Sequence, residues 1–242
     1  MPAQAKTTIA GQLNAARVAI NNTLADSEIH AMVAIYGYTN TKVLEGQQLY
    51  NAAIAAVNAQ NAAAGTQRQA TAQAAAAEQQ ARATYQALAQ VARAVFARDA
   101  AKRTALGLVG NTPQSTTAFM AAARTLFDNA IAMPAIQQEL INYGYSAARI
   151  AQERTVIAAL EQAHQAQVAA IGAAQQATRE QHAALIALNQ WVAQYLKIAK
   201  IALRSKPELI EKIGGVARSA RTAAQRNAPK KAAATRAAKL AA

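Results

Sequence analysis

The chain has 242 residues, a formal net charge of +13, 5% aromatic residues and no cysteine. That length suffices for one or two domains with real cores. The lack of cysteine excludes a disulfide framework and a thiolate metal site.

Ala, Gln and Arg dominate, good helix formers fill nearly every window, and β-branched runs are short. This predicts an all-α chain. An Ala-rich core buries little apolar area per residue, at about 25 cal/mol per Å², so a thin core is expected. Met1–Leu13 lacks a basic region followed by an apolar block, so no secretory signal is read and the expected compartment is the cytoplasm. No window approaches the roughly 18 uninterrupted apolar residues of a transmembrane segment.

In chain order, the first helix is expected over 8–25, with Thr7 or Thr8 as N-cap. A break at Asp26-Ser27 starts a short helix that ends at Tyr36-Gly37-Tyr38, where glycine can take the left-handed C-terminal conformation. Thr39 caps the next run. The same punctuation returns 107 residues later: Ser115 or Thr116 as N-cap, Met133-Pro134 as the break, Tyr143-Gly144-Tyr145 as the stop, and Ser146 as the cap. The same step pairs Gly65 with Gly172, Gly107 with Gly214, Ala15-Ala16-Arg17 with Ala122-Ala123-Arg124 and Gln69-Ala70-Thr71 with Gln176-Ala177-Thr178, with no gap.

These matches predict a tandem duplication of a helical unit of roughly 100 residues. The expected divisions are a leader at 1–7, repeat 1 at 8–107, a linker at 108–114, repeat 2 at 115–214 and a basic tail at 215–242.

From 40 to about 98, and from 147 to about 205, helix formers continue with Gly65 and Gly172 deep inside the runs. Each run is either one helix of about 60 residues, near 90 Å long, or a hairpin turning at the glycine. Length matching favours the hairpin. It gives about three helices of similar span per unit, suited to an antiparallel, coiled-coil-like bundle. Val43, Tyr50, Ile54 and Val57 line one apolar face, as do Ile150, Ile157 and Leu160. Tyr85, Leu88, Val91, Val95 and Phe96 form another, against Val192, Tyr195, Ile198, Ala202 and Leu203. Gln67–Gln80 and Gln175–His182 are polar and Ala-rich, as in a solvated tip or a weakly packed helix. Pro207 opens a last short helix, with Ser205 as its expected N-cap.

The Tyr-Gly breaks, with the closing Ile198-Ala199-Lys200-Ile201-Ala202-Leu203 and Pro207-Glu208-Leu209-Ile210-Glu211, resemble an uncharacterised bacterial family of duplicated all-α helical-bundle proteins. The resemblance implies a fold and brings no activity with it. The tail lies outside it.

Glu161 and His164 have the Glu-x-x-His spacing of di-iron four-helix proteins, but their repeat partners are Ile54 and Val57. No metal and no cofactor is therefore expected. Hydrolase elbows, phosphate-binding loops and dinucleotide fingerprints are missing, and the chain reads as a non-enzyme. The tyrosines of the two breaks could be stacking platforms for bases, but packing at a helix corner is the simpler account. Trp191 is expected in the core.

All twelve acids lie at or before Glu211, whereas Arg218, Arg221, Arg226, Lys230, Lys231, Arg236 and Lys239 follow with no acid among them. Such a tail binds polyanions by counterion release. The leading expectation is a structural or scaffolding protein acting through helix–helix association with copies of itself. Alternatives are a nucleic-acid-associated architectural protein using the tail, and a helical pore-forming or toxin component.

Overall fold

A computed structural model describes residues 8–215. The leader at 1–7 and the seven tail cations, Arg218 to Lys239, lie outside the described residues. Among the described residues there are eight helices and no strand: α1 (Ile9–Ala25), α2 (Ser27–Ala34), α3 (Asn40–Val95), α4 (Ala100–Ala105), α5 (Thr116–Ala132), α6 (Pro134–Ile141), α7 (Ala147–Ala202) and α8 (Pro207–Lys212). The bounds of α5–α8 are those of α1–α4 displaced by 107 residues.

Local chemistry sets the short elements. The Thr8 hydroxyl accepts from the Gly11 N–H at 3.1 Å to open α1, and the Ser115 hydroxyl accepts from Ala118 at 3.4 Å to open α5. The Asp26 carboxylate caps α2 by accepting from Glu28 and Ile29. Gly37 and Gly144 have φ of 89° and 83°. Behind each glycine the chain closes a Schellman turn, Tyr38 donating to the Val33 carbonyl at 3.2 Å and Tyr145 to that of Leu140 at 3.1 Å. Gly107 and Gly214 stop α4 and α8 in the same way. Pro207 does occupy the first turn of α8, but Lys206, and not Ser205, stands at its N-cap, without a side-chain cap bond.

The hairpins do not form. α3 and α7 are unbroken helices of 56 residues each, so each expected repeat holds four helices in place of three. Gly65 and Gly172 keep negative φ within the helices, and a Cβ at either would meet nothing within 4 Å. They are ordinary helical residues.

The described chain divides into two compact units. One draws on the residues up to Ala55 together with those from His182 onward; the other is 56–181. Both long helices therefore contribute to both units.

In the first unit, Ala16, Ala19 and Ile20 of α1 pack with Ile29 and Val33 of α2, Val43 and Ala53 of α3, Leu188, Tyr195 and Ala199 of α7, Leu203 just after it, and Ile210 and Ile213. In the second, Phe119, Leu126 and Phe127 of α5 pack with Ile136 and Leu140 of α6, Tyr85 and Leu88 of α3, Phe96 just after it, and Ile150, Ile157 and Leu160 of α7. One tie recurs in both units. Asn22 donates to the Lys212 carbonyl and Asn129 to the Ala105 carbonyl, each at 2.5 Å. In the Gln- and Ala-rich middle of the long helices only alanines are buried, among them Ala70, Ala74, Ala170, Ala174 and Ala177. The core is thin there, as a weakly packed helix would have it.

Candidate functional site

The Glu161–His164 pair lines a surface hollow of about 290 Å³ in the second unit, with Thr117, Met120, Ala121, Arg124 and Gln165. Glu161 sits between two guanidinium groups, 3.0 Å from Arg124 and 3.9 Å from Arg154. Arg154 also holds Asp128 at 2.6 Å. Nearby, Glu78 takes hydrogen bonds from Arg82 Nε at 2.8 Å and the Thr116 hydroxyl at 2.9 Å. Burial alone would raise the Glu78 pKa, but those two donors outweigh it and hold the carboxyl below its ordinary 4.5.

These carboxylates are committed to arginines, which leaves them poorly placed to bind a cation. Among the described residues no group of three or more His, Cys, Asp and Glu side chains is arranged to hold a metal ion. The charged groups that line the hollow, Arg124 and Glu161, are tied to each other in an ion pair. The chemistry of the hollow is that of a surface joint.

The other concentration of polar atoms lies in the first unit, around the chain's single tryptophan. Trp191 stacks on Tyr195 with ring centroids 5.3 Å apart and planes 15° apart. Tyr38 meets both rings edge-on, at 5.8 Å and 5.0 Å. The indole fits because position 46 is glycine; a Cβ there would lie 2.4 Å from Trp191 Cζ2.

The Thr23 hydroxyl donates to the Ala19 carbonyl at 2.7 Å, so its oxygen must accept from the Tyr195 hydroxyl beside it. Burial, only partly offset by that bond, pushes the Tyr195 pKa from 10.0 up to about 12. Tyr38 Oη and Trp191 Nε1 are buried without hydrogen-bond partners among the described residues.

The repeat-equivalent positions carry a different solution. Gly46 and Trp191 correspond to Glu153 and Thr84, and Thr23 and Tyr195 to Ala130 and Leu88. Neither the polarity nor the volume of the cluster is kept there, so the aromatic cluster is particular to the core of this unit.

The two Tyr-Gly-Tyr breaks separate into an inner and an outer tyrosine. Tyr38 and Tyr145 are buried, with the Arg149 guanidinium 4.0 Å over the Tyr145 ring. Tyr36 and Tyr143 are 47% and 60% exposed. The corner-clamping expected of all four therefore holds for the inner pair alone. The outer pair has apolar company, since Ile35 is 82% exposed and Ile141 is 48% exposed. Among the described residues no helix is long and apolar enough to cross a membrane. Comparison with protein-family models, curated proteins and solved structures finds no match.

Proposed function

We propose that this chain is a tandem duplication of one helical module serving as a non-enzymatic structural or scaffolding protein that associates with copies of itself. The constant 107-residue displacement of four successive helices supports the duplication. The observation that carries the function is the exposed apolar corner at each Tyr-Gly-Tyr break: the recurring Tyr36 and Tyr143, beside Ile35 in one unit and Ile141 in the other, two isoleucines at non-equivalent positions. Each is held out beside a left-handed glycine that fixes its direction. An exposed aromatic and an aliphatic on a rigid turn form a small anchor for another protein surface, and having two anchors lets weak contacts act together. The bacterial duplicated family remains the kinship we propose, on the Tyr-Gly breaks and the closing segment.

Native mass spectrometry and light scattering across a concentration series test the reading. The unaltered chain should assemble with rising concentration, and Tyr36→Ser with Tyr143→Ser should weaken assembly at least tenfold without loss of helicity. A monomer at high concentration in both low and moderate salt sinks it.

One observation favours a second reading, a nucleic-acid-associated architectural protein. Seven of the chain's 25 basic residues fall after Gly214 with no acid among them: Arg218, Arg221, Arg226, Lys230, Lys231, Arg236 and Lys239. Such a run lowers its free energy on a phosphate backbone by releasing condensed counterions, without sequence choice.

A further inference from the structure

We propose that the C-terminal end of α7 and the turn that follows it form a folded nucleic-acid-binding face, with Lys197, Lys200 and Arg204 gripping phosphates. The proposal rests on the second reading above and extends it from the tail into the helical body. At 100° per residue Lys197 and Lys200 lie about 60° apart on α7, and Arg204 follows in the turn after Ala202.

All three side chains are exposed, and among the described residues none has a carboxylate partner. Their neighbours differ. Lys206 pairs with Glu28 and Lys212 with Asp26. No acid occurs between Glu180 and Glu208, so nothing on this length of chain neutralises the face.

The fold does not ask for these cations. Its demands on this segment are met by the buried Tyr195, Ala199, Ala202 and Leu203. The equivalent positions of the first repeat are Gln90, Arg93 and Ala97, so the same helical register in the other unit carries a single cation. A charge face added where packing is indifferent points to a ligand.

A long polyanion fits better than a small anion, because the cations form a row and the tail's cations follow from Arg218 in the same chain. The one apolar residue on the face is Ile201, 49% exposed. That suits contact with a sugar edge and is too little to anchor the face in a bilayer.

The test uses the full-length chain and a fluorescent random-sequence DNA duplex of about 30 base pairs, read by anisotropy from 50 to 200 mM salt. Three proteins are compared: the unaltered chain; K197Q/K200Q/R204Q; and a chain with the seven tail cations changed to Gln. Circular dichroism checks that each keeps its helix content. The face variant should bind at least tenfold more weakly, and its log–log salt slope should fall by about 3, near 0.9 per lost phosphate contact.

Binding by the face variant equal to the unaltered chain, with loss only in the tail variant, overturns the face and leaves the tail reading standing. No binding by the unaltered chain at 50 mM salt overturns both. Tighter binding to phosphatidylserine vesicles than to the duplex overturns nucleic acid as the ligand.

Discussion

Tyr195 shows what one buried hydroxyl imposes on this protein. Its phenol donates to Thr23, and burial keeps it neutral in the folded state up to a pKa of about 12, against 10.0 when exposed. Burial raises Tyr38 and Tyr145 in the same direction. A pKa raised by folding means that the folded state holds its proton more tightly than the unfolded chain. The associated stability is complete below pH 10 and is lost as pH climbs through about 12. Urea unfolding at pH 8, 10 and 11.5 should show that loss. Tyr195→Phe should cost about 1 kcal/mol at pH 8, the worth of one buried hydrogen bond, and should flatten most of the alkaline decline. An unchanged decline in the variant would assign the pH dependence to other groups.

Among the elements, the long helices carry three glycines with opposite expected responses. Gly65→Ala and Gly172→Ala place a methyl group in open space on a continuous helix, so each should raise stability by roughly 0.5–1 kcal/mol. Gly46→Ala drives a methyl group into Trp191 and should lower stability by about 1–3 kcal/mol despite the better helix former. Thermal unfolding of the three variants reads both signs. Destabilisation by Gly65→Ala would mean a turn there after all.

The same three residues mark the limit of what the sequence discloses. Caps at Thr8, Ser115 and Asp26 and stops at Gly37 and Gly144 are legible because each bond closes within four or five residues. A glycine inside a helix and a glycine at a turn are written with the same letter. What separates Gly46 from Gly65 is a ring 145 positions along the chain from Gly46. Matching helix lengths misled for a related reason. It presumes that each helix serves one core, whereas α3 and α7 each divide their length between two. The apolar Ile54 and Val57 alone set the Glu161–His164 spacing aside as a ligand pair, but the ion pairing of Glu161 with Arg124 of α5 cannot be read from spacing.

For the whole molecule, the division into compact units cuts across the repeats of the proposed duplication. The first unit takes α1, α2 and the start of α3 from repeat 1 but closes its core with Leu188, Tyr195, Leu203 and Ile210 from repeat 2. The second takes α5, α6 and the start of α7 from repeat 2 and closes with Tyr85, Leu88, Phe96 and Leu106 from repeat 1. The matched ties, Asn22 to Lys212 and Asn129 to Ala105, each join one repeat to the other. Covalent continuity between the repeats should then be dispensable once the chain has folded. A protease site inserted after the exposed Gly110, cut in the native protein, leaves pieces 1–110 and 111–242, both needed by both cores. On gel filtration the cut protein should elute with its two pieces together and its helicity intact. Its melting temperature should rise with protein concentration, because unfolding now also separates two chains. Two helical pieces eluting apart would show that each repeat completes its own core, and the composite units would have to be abandoned.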